Sequence, residues 1–512
     1  MRIDEIISEM EGDGPRSYYY FEAFIHHLFK KRCDEQDKKY IVNNDAIGYW
    51  DAFAPNGIDE INGNTVIEIK FNLSNVPPRL FLEKTIKYSL NNPQENKIDN
   101  ILVVSAKPIS ERWMHRFHEE IKSYPIYQNI IFWGPYNLNK IVNKHQKFVN
   151  EISNNLFSLR LKTAILEPLH DWKKERDEII LKLRDLYKKG QFSLFLGAGV
   201  SSSAGMANWS TLLNSLFVSY LTKESDNKSD DSLKNVQQLV SRLNEINEPS
   251  ALMTARYLRK GLTRRNEETQ DFISTVTKNL YSLRDKSKDI DSDLIKTITS
   301  MCLPKRTGAK IKSVITYNFD DLLERQLSLK AIQHKCIYTD GESYDPDELP
   351  VYHVHGFLPE NRDSFEGLGK STLVFSEEGY HKIYSDHYHW SNLVQLNNFR
   401  ENNCLMIGLS MTDPNLRRLL DISSKSLEQS KHFAFMQRIT LESFCFEHSK
   451  SEGKKEQVVD DLESAKDFLN KHHVLNEGIM KELGVTIVWF EKYEEIPELL
   501  NKVILYEDQS HS

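Results

Sequence analysis

Several short stretches of this 512-residue chain put small, acidic, amide and imidazole side chains where chemistry could be done. In FSLFLGAGVSSSAG (192–205) an apolar run ends at Gly197, and seven of the eight residues that follow are glycine, alanine or serine. A loop so bare of side chains lets something come close to the backbone. Between a strand and a helix, the ligand expected is a phosphate or pyrophosphate, met by N–H groups and the helix dipole. The pattern falls short of G-x-G-x-x-G, because Ser202 stands in the third glycine's place. Taken alone, the same residues would also suit a tight helix–strand crossing. Three more apolar runs end in polar residues: ITYNFDD (315–321) with Asn318 and Asp320, VYHVHG (351–356) with His355 and Gly356, and NCLMIGLSMTD (403–413) with Gly408 and Ser410. In a doubly wound sheet ligands bind beyond the carboxyl ends of the strands, so these groups would meet at one edge.

A second constellation lies in GIDEINGNTVIEIK (57–70). Asn62-Gly63 between β-prone runs signals a hairpin. With that turn, Asp59 shares a sheet face with Val66, Glu68 and Lys70, and Glu68 is its diagonal neighbour. Two carboxylates with water are suitable ligands for Mg²⁺, so Asp59 and Glu68 are candidate metal ligands. Such an ion could activate a water, and Lys70 could orient it or offset negative charge. Glu22, on an upstream helix, is a fourth candidate. The E-x-K spacing alone carries nothing, since Glu120-Ile121-Lys122 repeats it inside an expected helix.

The elements that must position these residues follow from hydrophobic period. SYYYFEAFIHHLFKKR (17–32) has helical spacing. Short strands then lead to about residue 71, followed by a strand at 98–106, a helix at 112–124 and a strand at 129–134. An α/β domain over 1–150 is expected, then a charged connecting helix within 151–190, then a second α/β domain over 191–512. The second domain's strands (192–196, 311–318, 351–356, 403–410, 432–436 and 485–490) are mostly continuous apolar runs, as buried parallel strands are. The polar segments 222–232 and 447–457 read as solvated insertions. The net charge of −8 argues against a constitutively DNA-coated protein. Five scattered cysteines without a CxxC pair give no zinc site or disulfide framework and suit a reducing cytoplasm. The acidic start MRIDEIISEM is no signal peptide, and no apolar run approaches the ~20 residues of a membrane helix.

The first region, through F-E-A-F-I-H-H-L-F, G-I-D-E-I, V-I-E-I-K and I-I-F-W-G, resembles a restriction-endonuclease-like fold of the Mrr type over about 1–145. The resemblance puts Asp59, Glu68 and Lys70 on the PD-(D/E)xK set and Glu22 on its first-helix acid. It implies a domain that senses or cuts DNA.

The second region resembles the Sir2 family over roughly 190–505. Gly197-Ala198-Gly199-Val200-Ser201 is similar to its GAGxS loop, Thr316 to Asp320 to its T-x-N-x-D, His355-Gly356 to its H-G, and Gly408 with Ser410 to its later G-x-S. The resemblance implies a Rossmann-like domain that binds NAD and breaks its nicotinamide–ribose bond. Gly197, Ala198, Gly199 and Ser201 would cradle the dinucleotide, and Asp320 would hold the carboxamide. Asn318 would place the ribose or the water, and His355 would serve as general base. His355 is preferred to His353 because Gly356 leaves room for ligand, and His353 reads as a core histidine. The absent CxxC pairs, and Ala207-Asn208-Trp209-Ser210 where deacylases carry Pro-Asp-Phe-Arg, resemble zinc-free NAD-hydrolysing effectors of bacterial anti-phage defence. For such effectors a homo-oligomer, DNA as trigger and a hexameric DNA-translocating ATPase as partner are implied. The competing expectation is a metal-dependent DNA nuclease whose Sir2-like domain binds NAD or ADP-ribose only as a regulatory ligand.

Overall fold

The computed structural model describes residues 3–10, 15–42, 50–83, 98–124, 129–153, 171–207, 211–213, 215–216, 268–305, 308–371, 373–374, 377–386, 388–427, 430–448 and 455–504. The expected insertion 222–232, most of that at 447–457, and Asn208, Trp209 and Ser210 lie outside them. The chain divides into two compact units. The first comprises Met1–Ile179, Ser424–Ser430 and Ile439–Thr486; the second comprises Ile180–Ser423, Lys431–Arg438 and Ile487–Ser512. The first unit thus takes in 439–486, a stretch the sequence places with the second region. Of the connecting segment 151–190, the structure describes a helix over Trp172–Lys189.

The first unit is built on five strands: β1 (Ile41–Val42), β2 (Ala52–Ala54), β3 (Thr65–Lys70), β4 (Asn100–Ser105) and β5 (Asn129–Trp133). They lie in that order, with β1–β2 and β2–β3 antiparallel and β3–β4–β5 parallel. Strands β3 and β4 are buried along their whole length, and β4 accordingly reads as an apolar run. Period-two alternation sorts their side chains into two cores. Ile67, Ile69, Leu102 and Val104 pack with Phe21, Phe24 and Leu28 of the helix Pro15–Asp34. Val66, Ile101 and Val103 pack with Trp113 and Phe117 of the helix Glu111–Glu120. That second helix ends at Glu120, and Lys122 falls in the 3₁₀ turn after it.

The expected Asn62-Gly63 hairpin is corrected here. Strand β2 stops at Ala54, and residues 55–64 form a longer connection. Pro55 cannot extend the ladder as a donor. Gly57, at φ 72°, turns the chain back with its amide on Ala54 O, and an Ile58–Ile61 bridge closes a smaller turn. Asp59 sits at the tip of that turn, at φ 49°, and not on a strand facing Glu68.

The second unit carries seven strands: β6 (Phe192–Leu196), β7 (Ile311–Thr316), β8 (His334–Ile337), β9 (Leu349–His353), β10 (Asn403–Ile407), β11 (His432–Gln437) and β14 (Val485–Phe490), whose last residues lie in this unit. Strands β12 (Phe446–His448) and β13 (Lys455–Gln457) form a separate ribbon. The sheet order is β14-β11-β10-β6-β7-β9-β8, and every neighbouring pair from β11 to β8 is parallel. From β6 the chain winds outward to β7 and beyond on one side, then returns to place β10 on β6's other side. The strand order therefore reverses between β6 and β10, where doubly wound sheets hold their ligands.

Backbone meets backbone at that point. The amide of Gly197 donates to Ile407 O at 3.0 Å and that of Gly199 to Gly408 O at 2.9 Å. A Cβ on Gly199 would fall 2.8 Å from Gly408 Cα, and one on Gly408 would fall 2.6 Å from the Val200 amide. Gly408 also holds φ at 69°, which favours glycine. Gly408→Ala is therefore expected to destabilise the protein by about 1–3 kcal/mol. Gly369→Ala, with open space where its Cβ would go, should change it by under about 0.5 kcal/mol. Chemical denaturation of both variants checks this, and equal midpoints would contradict it.

Candidate active site and a carboxylate cluster

The loop after β6 starts a short helix, Ala198–Ser203. The amides of Gly197 and Gly199 are occupied by β10 and the turn after it, so both glycines serve the crossing of two chain segments. Ala198 is the exposed residue of the loop. Ser201 is buried and ties the loop to the end of β7: Asn318 Nδ2 donates to Ser201 Oγ at 2.8 Å and to Gly197 O at 3.0 Å. Asp320 lines one small cavity with Ser201 and Asn318, and the nearby Ser201 hydroxyl favours its charged form. Burial pushes the Asp320 acid up to about 6, against the opposing pull of Ser201. Gly197, Gly199, Ser201, Asn318, Asp320 and Gly408 are thus brought into one connected group. Asn318 keeps its Oδ1 as an acceptor, because both donors of its amide are engaged.

His355 lies just past β9, against the Tyr317 ring at 4.6 Å and the Tyr380 ring at 5.8 Å. Gly356 follows at φ 105°. Among the described residues His355 Nε2 is buried without a hydrogen-bond partner, and it lies 3.7 Å from Asp413 Oδ2. Burial lowers the imidazole below its ordinary value of 6.5, and Asp413 pulls the other way. Asp413 is fixed by the Tyr380 hydroxyl and by the Leu416 amide at 2.7 Å. Neither Asp413 nor Tyr380 was singled out by the sequence, although Asp413 closes the same GLSMTD run that carries Gly408 and Ser410. Ser410 is exposed, with its hydroxyl 2.6 Å from that of Thr412. His353, buried on β9, is held by Asn318 O and Glu324.

In the first unit the structure changes the acidic set. Glu68 and Lys70 do meet, Oε1 to Nζ at 2.6 Å, both buried. Asp59 instead accepts from Arg32 Nε at 2.6 Å and Gln36 Nε2 at 2.7 Å. The second carboxylate of the cluster is Asp51, just before β2. Its amide donates to Ile67 O and its carboxylate accepts from the Ile69 amide, so it lies against the stretch that carries Glu68. Burial, then the charge of Glu68, raises Asp51 well above the usual carboxylate range; Lys70 opposes and Glu22 adds to the rise. Glu22 Oε1 lies 3.7 Å from His26 Nε2, and Lys70 sits over the Tyr18 ring at 5.8 Å. A buried carboxylate whose proton affinity is raised by the charge of a second buried one forms with it a donor set a divalent cation would satisfy. The residues that could hold Mg²⁺ are therefore Asp51 and Glu68, and Asp59 is not among them.

A carboxyl whose folded pKa is raised keeps its proton on folding and loses it on unfolding above about pH 4. The native state then binds more protons, so this group makes stability fall as pH rises from about 4 through the raised value. In metal-free buffer, Asp51→Asn should remove part of that slope. The variant should gain thermal stability over wild type at about pH 8 and gain little at about pH 5. Melting curves at the two pH values check this; an equal gain or loss at both would contradict the assignment.

Residues 312–457 match the SIR2-like domain family. The chain is also 22% identical over 334 residues to the NAD(+) hydrolase ThsA of Enterococcus faecium, covering 64% of this chain and 58% of that protein. The match therefore spans little more than half of the relative's length. Among the described residues no helix is long and apolar enough to cross a membrane. Residues 312–457 are thus similar to the SIR2-like domain family, and the chain is distantly similar to an NAD⁺ hydrolase.

Proposed function

We propose that the second unit hydrolyses NAD⁺ to nicotinamide and ADP-ribose. The observation that carries this reading is His355, a buried imidazole whose Nε2 has no hydrogen-bond partner among the described residues, packed on the ring of Tyr317, which precedes Asn318 of the Ser201–Asn318–Asp320 group. Nicotinamide departs as a neutral base with the electron pair of the broken C–N bond, leaving positive charge on the ribose. Asp320 receives the carboxamide N–H groups, and its nearby negative charge favours the cationic sugar. Asn318 Oδ1 accepts from the incoming water. Oxygen bonds to the ribose carbon, and His355 Nε2 takes the proton, a role that requires the neutral imidazole that burial favours. Gly197, Ala198 and Gly199 would line the dinucleotide, with Ala198 as the outward residue, and Gly356, Gly408 and Ser410 would border it.

A second activity is supported by the carboxylate cluster: metal-dependent DNA cleavage by the first unit, as a restriction-endonuclease-like domain. Mg²⁺ bound there would supply a Lewis acid for phosphodiester hydrolysis. Asp51 and Glu68 would hold it, and Lys70 would orient the attacking water. In this reading the chain is an anti-phage effector, with DNA as ligand or trigger. A homo-oligomeric state and an ATPase partner are expectations of the same reading.

His355→Ala is expected to lower NAD⁺ hydrolysis by about 10²–10⁴-fold. In wild type the acid limb of the pH–rate profile should lie below the ordinary histidine value of about 6.5. Asp413→Asn, which removes the charge that raises His355, should lower the titration midpoint of the His355 ring. Chromatography of nicotinamide release against pH checks the limb and NMR of the ring checks the midpoint; an unmoved midpoint in Asp413→Asn would refute the coupling. For DNA, nicking of plasmid with Mg²⁺ should be lost in Asp51→Asn and Glu68→Gln but kept in Asp59→Asn, with NAD⁺ hydrolysis kept in all three. Loss in Asp59→Asn alone would refute the assignment of Asp51.

A further inference from the structure

We propose that Glu324, Cys336 and His353 form a binding site for a thiophilic divalent cation, Zn²⁺, within the second unit, adjoining the group assigned to NAD⁺ but built from other side chains. One ligand atom from each residue lies within 4.8 Å of the other two. The fold brings them together from three elements. Cys336 on β8 is in register with Val351 on β9, so His353, two residues further, shares the Cys336 face of the sheet. Glu324 comes from the first turn of the helix Leu322–Leu329.

The hydrogen bonding of His353 asks for a cation. Its Nδ1 lies 3.2 Å from the carbonyl oxygen of Asn318, and its Nε2 lies 2.8 Å from Glu324 Oε1. Both neighbours are acceptors, while a neutral imidazole has one N–H to give. If Nδ1–H donates to the carbonyl, Nε2 presents a lone pair to a carboxylate oxygen, and a positive charge must join them. A proton could do so, but it would leave the thiol without a part. Zn²⁺ uses all three groups, and the Nδ1–H bond to a backbone carbonyl is the usual outer contact of a zinc-ligating histidine. One carboxylate, one thiolate and one neutral imidazole also bring the ion to net neutrality, as a buried site requires. His353 and Glu324 are both buried, and the His353 ring is braced against Phe357 at 4.1 Å. Burial, then Glu324, raises the Cys336 thiol, so ion binding would release its proton and weaken as pH falls. Glu324 and Cys336 also line a groove of about 1300 Å³, which offers an entry path and room for a water as fourth ligand.

The test uses the full chain, stripped with a chelator and kept in a thiol-free reductant, with Co²⁺ as spectroscopic probe. Titration should produce a thiolate-to-Co²⁺ charge-transfer band that saturates at one equivalent. Zn²⁺ should abolish it, and excess Mg²⁺ should not. The band should vanish in Cys336→Ser and survive in Cys302→Ser. No band in wild type, or a band that persists in Cys336→Ser, overturns the site and leaves an imidazolium–carboxylate pair in its place. A second measurement needs no variant: alkylation of wild type, mapped by mass spectrometry, should show Cys336 protected by Zn²⁺. Equal labelling with and without Zn²⁺ overturns the proposal. Neither readout depends on NAD⁺ hydrolysis.

Discussion

Two backbones in contact at Gly199 and Gly408 set the geometry of the second unit's site. A 2.9 Å hydrogen bond joins them, and neither position has room for a Cβ. The crossing fixes the start of the Ala198–Ser203 helix against the end of β10 and so fixes Ser201. The Ser201 hydroxyl then holds the Asn318 amide, and Asp320 lines the same small cavity. The turn that Gly408 opens continues through Ser410 to Asp413, which faces His355. Small residues are thus needed first so that the chain can meet itself. The polar cluster is a consequence of that meeting.

Burial acts oppositely on the two candidate centres. It favours the neutral form of the His355 imidazole, which suits a proton acceptor. It raises the Asp51 acid, which suits a site waiting for positive charge. In each case a neighbour modulates the effect: Asp413 for His355, and Glu68 with Lys70 for Asp51. Burying an ionisable group costs free energy unless a neighbour compensates, so such groups in a cleft are candidates for function.

Much of this was legible in the sequence. Continuous apolar runs gave β6, β7, β9, β10, β11 and β14, because parallel strands covered on both faces need apolar residues throughout. Strand β8 was missed, since HKCI is a short, partly exposed edge with no clear period. The polar ends of β7, β9 and β10 were found because each group follows its strand directly in sequence. Asp51 was not, because its approach to Glu68 depends on where β2 begins and on a long connection that the Asn62-Gly63 pair disguised. The bond between Asp59 and Arg32 joins residues far apart in the chain, which no local pattern records. Glu324, Cys336 and His353 escaped for the same reason: helix and strand register unites them, and no short motif does.

The central claim is that water attacks the ribose carbon of NAD⁺ in the second unit. Its most direct test is the mass of the ADP-ribose formed when the purified full-length protein, with and without double-stranded DNA, is given NAD⁺ in water labelled with heavy oxygen. The account predicts free nicotinamide and an equal amount of ADP-ribose carrying a single heavy oxygen. Intact NAD⁺ under both conditions, together with no binding of NAD⁺ by calorimetry, would contradict it.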